Sequence, residues 1–358
     1  MRTADFDYQL PHELIAQHPA PRRDASRLLV LNRPNGEIRH RNFPDLLEYL
    51  RPGDVLVLNN SRVIPARLRG VNAHTGGQFE ILLLEENASN DWWAMLRPGK
   101  RARIGTRITI RKHTATDTGI RATVTATNAE GHRRLSFTGT RNISDELDAV
   151  GEVPLPPYIA RNNLDALAED KQRYQTVFAE PPGSVAAPTA GLHFTPELLG
   201  GIRARGVDVQ FVTLHVGFGT FAPVKSETLA GHTMHEERYE ISEATARAVN
   251  AAKLAGQRVV AVGTTSVREL ESVAAQHDGK LVAALGRTSI FIHPPFSFRV
   301  VDALLTNFHL PCSTLLMLVS ALAAPGETCG REMILRAYAA AIRERYRFYS
   351  YGDAMLIV

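Results

Sequence analysis

The sequence predicts an α/β protein in which a mixed α/β large domain carries an inserted small β-barrel domain. In residues 1–68 and 151–358, short apolar segments alternate with helical segments, a pattern typical of a mixed or parallel sheet. In residues 69–150, apolar and polar residues alternate along short segments that are separated by turns, which favours a barrel or sandwich. The α/β pattern resumes after residue 150, so we interpret the middle segment as an insertion.

Apolar runs and capping residues locate the individual elements. Strands of the large domain are predicted at residues 28–31, 55–58, 209–216, 259–262, 300–305 and 354–357, and strands of the insertion at 79–84, 92–96, 108–110, 120–126 and 135–137. Thr195 and Ser242 are suited to cap helices, and Pro196 fits a first helical position. Further helical segments are expected at residues 45–50, 315–324 and 331–345.

Composition narrows the class of protein. Of the 358 residues 44% are hydrophobic, and the formal net charge of +4 is compatible with a nucleic-acid partner without requiring one. Cys312 and Cys329 fit no zinc or iron–sulfur spacing, so a reducing compartment is expected. The first ten residues contain no apolar signal core, and the apolar run at residues 315–324 is too short to span a bilayer. We therefore expect a cytoplasmic protein that works away from membranes.

Two loops of the large domain combine glycines and hydroxyl residues with a histidine. The residues concerned are Thr189, Gly191 and His193 in residues 188–195, and His215, Gly217, Gly219 and Thr220 in residues 214–220. The first loop precedes a helix start, where backbone N–H groups favour an anion such as a carboxylate. The glycines of the second loop would let a ligand approach the backbone closely. A capped loop with a hydrogen-bonded histidine, or a simple bulge, would look the same in the sequence.

Two further loops lie where predicted strands end. They carry Thr264, Thr265, Ser266 and Arg268 in residues 263–268, and Asn307 and His309 in residues 306–311. Three hydroxyls and an arginine at a helix start could bind an anion or a ribose. The structural alternatives are a hydroxyl that caps the helix and an asparagine that bonds to its own backbone. Together the four loops favour an enzyme over a purely structural protein.

Two other patterns have a functional and a structural interpretation. His232, His235 and Glu237 form H-x-x-H-x-E, but this is not the i, i+4 pair of a zinc protease, so we expect no metal site. Residues 97–116 contain seven Lys or Arg and no acidic residue. Such a run can follow phosphates, and a solvated strand face has the same composition. The phosphate-binding candidates within it are Arg101, Arg103, Arg107 and Lys112.

At these residues the chain resembles the S-adenosylmethionine:tRNA ribosyltransferase-isomerase family of queuosine biosynthesis. The resemblance spans nearly the whole chain, and all four loops are among its motifs. It is carried by SRLLVL at 26–31, RVIPAR at 62–67, GEVPLPPYI at 151–159, AAPTAGLHFT at 186–195 and YGDAM at 351–355. Asn59, Asn60 and Ser61 stand where many members have Asn-Asp-Thr, and residues 128–149 match poorly.

The resemblance implies an activity, substrates and site residues. Members transfer and isomerise the ribosyl part of S-adenosylmethionine onto 7-aminomethyl-7-deazaguanine at the tRNA wobble position, which gives epoxyqueuosine-tRNA, adenine and methionine. S-adenosylmethionine is then a consumed substrate, and no bound cofactor is expected; a monomer is expected. The reaction needs proton transfers, for which His193, His215 and His309 are the catalytic candidates. The Thr, Ser, Gly, Arg and Asn residues of the four loops become candidates for substrate binding, and the basic run becomes the candidate tRNA contact.

Two other hypotheses remain open at this point. One is another S-adenosylmethionine-using enzyme that needs no tRNA, and the other is a non-catalytic tRNA-binding protein. Release of adenine that depends on modified tRNA would exclude the first hypothesis. Binding of tRNA without turnover would identify the second. A non-catalytic protein leaves the histidine-bearing loops without a purpose.

Overall fold

The structure is a computed structural model that describes residues 1–112, 116–161, 164–217, 224 and 226–358, with only the main chain described at 164–167. Its strands are β1 (Arg27–Leu31), β2 (Ile38–Asn42), β3 (Val55–Asn59), β4 (Arg62–Val63), β5 (Arg67–Asn72), β6 (Gln78–Ala88), β7 (Asp91–Arg97), β8 (Arg107–Arg111), β9 (Asp117–Thr127), β10 (Arg133–Thr138), β11 (Pro182–Ser184), β12 (Asp208–Leu214), β13 (Glu237–Ile241), β14 (Val259–Val262), β15 (Ala284–Thr288), β16 (Ala303–Asn307) and β17 (Ala354–Ile357). Its α-helices are α1 (Ile143–Val150), α2 (Leu164–Arg173), α3 (Pro196–Ala204), α4 (Glu243–Leu254), α5 (Thr264–Gln276), α6 (Thr314–Ala323) and α7 (Gly330–Arg343).

A nine-stranded mixed sheet forms the large domain. The strand order is β15-β13-β12-β3-β14-β16-β17-β1-β2. Neighbours from β12 to β16 are parallel, whereas β17 runs antiparallel to β16 and parallel to β1. The central strands β3 and β14 are buried along their whole length and, apart from Asn59 at the end of β3, apolar, as expected for strands covered on both faces. This confirms the predicted mixed α/β class.

The predicted insertion contains a closed six-stranded barrel. Its strands are ordered β10-β7-β6-β5-β8-β9, and alternate residues of each strand fill one core. Helix α1 adds Ile143, Leu147 and Val150 to that core. Since β5 begins at Arg67, the barrel starts slightly before the insertion boundary proposed from the sequence. The division of the chain at residues 69 and 150 stays a prediction.

Most predicted elements are confirmed within a few residues, and the exceptions have local causes. β16 begins later than residue 300 because the Glu271 carboxylate accepts hydrogen bonds from the backbone N–H groups of residues 299–301, at 2.8–3.0 Å. The helical segment predicted at 45–50 is a 3-10 helix, Phe43–Glu48. Strands β2, β13 and β15 escaped prediction because they lie at or next to the sheet edges, where polar residues interrupt the apolar run.

The capping predictions are confirmed in detail. The Thr195 side chain accepts from Leu198 N at the start of α3, and Ser242 accepts from Thr245 N at the start of α4. Helix α6 is ten residues long and buried, as the apolar run predicted. Within the described parts of the chain, no helix is long and apolar enough to cross a lipid bilayer.

Candidate active site

All four predicted loops contribute residues to a small pocket beside the carboxyl ends of the central strands. Its volume is about 40 Å³. The lining residues are Tyr158, Ala187, Pro188, Thr189, Ala190, Val216, Gly263, Thr264, Thr265, Thr306, Asn307, Phe308, His309, Leu310, Leu315, Tyr349 and Ser350. Parallel strands end at the same sheet edge, so residues far apart in the sequence converge there.

The start of α5 faces this pocket. Gly263 is the N-cap residue with φ of +85°, a conformation that favours glycine, and no side chain caps the helix. Thr264 and Thr265 follow and line the pocket. The structural alternative, in which a hydroxyl caps this helix, is therefore not what the structure has. The uncapped N–H groups leave an electropositive helix end beside the pocket.

Asn307 and His193 form a buried chain of hydrogen bonds behind the pocket. The Asn307 Nδ2 atom lies 3.3 Å from His193 Nε2 and 3.3 Å from the Tyr349 carbonyl oxygen. His193 Nδ1 lies 2.8 Å from the Ser26 hydroxyl. Burial lowers the pKa of His193 to about 4, so its imidazole is neutral at pH 7. His193 itself is not among the residues that line the pocket.

His309 lies at the pocket, although it too is largely buried. Its Nε2 atom is 2.8 Å from the Thr306 hydroxyl, and its backbone N–H donates to the Tyr338 hydroxyl at 2.9 Å. Burial lowers the pKa of His309 to about 3. Because Nε2 is committed to Thr306, Nδ1 is the ring nitrogen left for a ligand.

A larger cleft of about 650 Å³ separates the barrel from the sheet domain. Its lining residues are Arg62, Val63, Ile64, Pro65, Leu84, Glu85, Glu86, Trp92, Ser144, Asp145, Leu147, Asp148, Val153, Lys171, Gln175, Pro182, Gly183, His215, Val216, Gly217, Glu236, Glu237, Arg238 and Arg287. Glu85 of the barrel forms ion pairs with Arg238 and Arg287 of the sheet, which link the two walls. Val216 lines both cavities, so the small pocket adjoins the cleft.

His215 is the predicted histidine that lies in the cleft. Its ring packs on Gly183, where an added Cβ would stand 2.8 Å from Nδ1. The neighbouring Val216 N–H donates to the Ser184 hydroxyl at 2.9 Å, which ties the loop to β11. Burial, and then the positive charge of Arg238, lower the pKa of His215. The ring is half-buried and has access to the cleft, unlike His193.

A buried ion pair supports the loop that carries His215. Arg268 of α5 bonds to Glu237 of β13, and both side chains are almost fully buried. The other Glu237 oxygen accepts from the Gly217 N–H at 3.0 Å. Arg268 was predicted to bind substrate, but it lines neither cavity, and one of its nitrogens contacts Glu237 directly.

The remaining predicted binding residues fall into three groups. Thr189 lines the small pocket. Gly191 and Ser266 have structural partners, because an added Cβ at Gly191 would stand 2.9 Å from Phe178 and the Ser266 hydroxyl donates to the Val262 carbonyl at 2.8 Å. Gly219 and Thr220 lie outside the described residues.

The basic run lies on the barrel and lines neither cavity. Trp92 lines the cleft at one end of β7, and Arg97 ends that strand five residues later, about 17 Å away at the usual strand rise. Arg101 and Arg103 follow this far end of β7. Arg107 lies at the same end of the barrel, where its carbonyl accepts a hydrogen bond from Ala73 N at 2.9 Å. Lys112 follows the opposite end of β8. All four candidate side chains are exposed, and none has an acidic partner among the described residues.

The H-x-x-H-x-E residues do not converge. Glu237 is turned towards Arg268, His235 Nδ1 is 3.6 Å from Glu130, and the His232 ring packs against Phe291 with centroids 5.2 Å apart. No group of three or more metal-ligating side chains occurs in the described segments.

Sequence reasoning missed several residues that shape the site. Tyr349 lines the small pocket with φ of +69°, which is rare for a residue other than glycine. Trp92 brings an aromatic side chain from the barrel to the cleft, and Ser26 supports His193. Ser26 and Tyr349 lie in or next to segments of the resemblance. Neither lies in a polar loop at a strand end, and such loops are the feature from which the sequence predicts site residues.

Two comparisons identify the relatives of this chain. It matches the family described as queuosine biosynthesis protein over residues 3–357. It is also similar to the crystal structure of S-adenosylmethionine tRNA ribosyltransferase from Thermotoga maritima, with 40% sequence identity over 99% of this chain and 100% of that one, and a TM-score of 0.55. Both matches extend across the sheet domain and the barrel. The chain therefore belongs to the queuosine biosynthesis protein family.

Proposed function

We propose that this protein transfers and isomerises the ribosyl moiety of S-adenosylmethionine onto 7-aminomethyl-7-deazaguanine at the tRNA wobble position. The products are epoxyqueuosine-tRNA, adenine and methionine. The full-length similarity to a tRNA ribosyltransferase is the observation that carries this proposal. The convergence of the predicted loops on one pair of adjoining cavities supports it.

The two cavities suit the two kinds of substrate. The small pocket has room for only a few heavy atoms, whereas the cleft can hold a nucleoside-sized group. We propose that one end of S-adenosylmethionine occupies the pocket and that its ribose lies near Val216, where the cavities adjoin. The wobble base then enters the cleft from the barrel side, after leaving the stack of the anticodon loop.

We assign proton transfer to His215. The reaction removes a proton from the carbon beside the sulfonium, and a base works best when its pKa is close to the working pH. His193 and His309 are neutral and deeply buried, with pKa values of about 4 and about 3, so they are poorly suited to carry a proton at neutral pH. We propose that these two histidines organise the pocket instead.

S-adenosylmethionine is a consumed substrate in this proposal, and the protein needs no resident cofactor or metal. The scattered orientation of His232, His235 and Glu237 supports the second point. The cytoplasm is the proposed site of action, and the monomeric state stays a prediction.

The direct test combines purified protein, S-adenosylmethionine and tRNA that carries the 7-aminomethyl-7-deazaguanine base. We expect adenine and methionine in equal amounts, measured by chromatography, and a mass gain on the tRNA. tRNA with an unmodified guanine is the matched control and should give no adenine. Adenine release without the modified base would favour a different S-adenosylmethionine-using enzyme, and tight tRNA binding without turnover would favour a binding protein.

The same assay tests the requirement for a metal. Activity should survive incubation with a chelator, since His235 and Glu237 already have other partners. Loss of activity that one added metal ion restores would contradict the metal-free proposal.

A further inference from the structure

Asn307 lines the small pocket and has one buried polar atom that is unpaired among the described residues. The residue is 2% exposed and lines the pocket, and its Oδ1 atom has no hydrogen-bond partner among the described residues. Buried carbonyl oxygens in native proteins are nearly always paired. A ligand N–H group would supply the missing partner.

The orientation of this amide is fixed by its neighbours. The Tyr349 carbonyl can only accept, so the Asn307 atom 3.3 Å from it must be Nδ2. The same Nδ2 donates to His193 Nε2, which places the imidazole proton on Nδ1, facing the Ser26 hydroxyl. Both amide hydrogens are thereby used, and Oδ1 is left for the ligand. His193 is therefore a positioning residue for Asn307.

The start of α5 lines the same pocket and is suited to an anion. The 13-residue helix α5 begins there without a side-chain cap, and its first N–H groups have no helical partner. The Thr265 hydroxyl accepts a hydrogen bond from Asn59 at 3.3 Å, so its own hydrogen is free to donate. The lining residues include no Lys or Arg, so the helix end and the hydroxyls are what would hold an anion.

We propose that the small pocket binds the α-amino acid head of S-adenosylmethionine, with the α-ammonium on Asn307 Oδ1 and the carboxylate at the start of α5. This inference rests on the proposed function and specifies how the substrate is held. A zwitterion carries an ammonium, which suits the Asn307 oxygen, and a carboxylate, which suits the start of α5. The pocket, at about 40 Å³, is much smaller than the adjoining cleft of about 650 Å³, so we place the compact amino acid head in the pocket and the larger groups beyond it. The carboxylate thus goes to α5 rather than to α3, whose first turn lines neither cavity.

The test measures binding by calorimetry in the absence of tRNA. The ligands are S-adenosylmethionine, its analogue in which a hydroxyl replaces the α-amino group, and its analogue in which inosine replaces adenosine. The wild-type protein should bind the hydroxyl analogue about ten- to a hundredfold more weakly than S-adenosylmethionine, as expected for a charge-assisted hydrogen bond. Asn307→Ala should lose this discrimination and keep any discrimination against the inosine analogue.

Asn250→Ala is the matched control, because the Asn250 amide hydrogen-bonds to the backbone of Leu281 and the residue lines neither cavity. It should retain the wild-type preference between the ligands. If Asn307→Ala keeps full discrimination against the hydroxyl analogue, the inference is wrong. If it instead loses discrimination against the inosine analogue, Asn307 contacts the adenine amine and the inference is equally wrong. Either of these results leaves the proposed function intact as long as the wild-type protein binds and turns over S-adenosylmethionine. A wild-type protein that binds no S-adenosylmethionine would contradict both the inference and the proposed function.

Discussion

His193 illustrates how one buried side chain can matter to a site that it does not line. Its ring bridges Ser26 and Asn307, and it packs on Phe43 with ring centroids 4.9 Å apart. Both ring nitrogens have partners, so the imidazole cannot accept a proton without losing the Asn307 contact. This geometry supports a positioning role at the residue scale.

Replacing His193 by Gln and by Ala distinguishes positioning from proton transfer. A glutamine oxygen can still accept from Asn307, so His193→Gln should bind S-adenosylmethionine within a few-fold of wild type. His193→Ala frees the amide and should weaken binding about tenfold, with the pH profile of turnover unchanged in shape. The measurements are KM and kcat across pH, with thermal unfolding as a check on folding. A general base would instead give a loss of about 10²–10⁴ in kcat that Gln does not rescue.

The same histidine predicts a pH dependence of stability. Its pKa of about 4 in the folded state lies below the ordinary 6.5, because burial disfavours the charged ring. Between these values the unfolded chain binds a proton that the folded chain does not, so stability falls as pH drops from 6.5 to 4 by up to about 3 kcal/mol. Above pH 6.5 both states are neutral and the contribution is constant. Denaturant unfolding of His193→Gln should show a smaller loss of stability between pH 6.5 and pH 4 than wild type. An equal loss in the variant would mean that other groups cause the pH dependence.

At the scale of elements, the loop after β12 is held from two sides. Ser184 of β11 binds the N–H of Val216, and Glu237 of β13 binds the N–H of Gly217. Glu237 is in turn paired with Arg268 of α5. The strands β11 and β13 and the helix α5 therefore together hold the segment that carries His215.

Glu237→Gln should leave the buried Arg268 charge without its partner. Breaking a buried ion pair typically costs about 3–5 kcal/mol of stability. The double variant Glu237→Gln/Arg268→Met removes the charge as well, so it should recover part of that lost stability. Turnover should be low in both variants, because Glu237 and its ion pair support the loop that carries His215. Denaturant unfolding and the adenine assay measure the two effects. Equal stability of all three proteins would argue that the pair is not buried in solution.

At the scale of the whole molecule, the barrel shares the cleft with the sheet, and its two ends differ in charge. The cleft wall of the barrel carries Glu85 and Glu86, whereas Arg101, Arg103 and Arg107 lie at the end of the barrel away from the cleft. A tRNA with its wobble base in the cleft could extend its backbone over that end. The alternative contact on the sheet domain is the exposed pair Arg343 and Arg345. Arg347, two residues beyond Arg345, donates to the His18 carbonyl at 2.8 Å and has a structural role.

Replacing Arg101, Arg103, Arg107 and Lys112 by Ala should weaken tRNA binding and leave S-adenosylmethionine binding unchanged. Each lost phosphate contact should reduce the slope of log affinity against log salt by about 0.7–0.9. Binding across a salt series measures this, and Arg343→Ala/Arg345→Ala is the matched variant on the other domain. An unchanged slope in the barrel variant, with a reduced slope in the sheet variant, would place the contact on the sheet domain.

The sequence by itself determined the elements that local patterns encode. Apolar runs predicted the central strands, hydroxyl residues predicted the caps at Thr195 and Ser242, and alternation predicted the barrel. Strand ends predicted the loops that line the small pocket, because ligands of α/β sheets bind beyond the carboxyl ends of the strands. The edge strands β2 and β15, and β13 beside β15, were missed, since a polar strand has little apolar signal.

Only the tertiary structure decided how those loops relate to one another. His193 and Asn307 are 114 positions apart, and nothing local indicates that one supports the other. The same holds for Arg268, which contacts Glu237 31 positions away, and for the choice of α5 over α3 as the helix start at the pocket. Periodicity and capping arise from contacts within a few residues, whereas hydrogen-bond partners and cavity walls depend on which distant segments packing brings together.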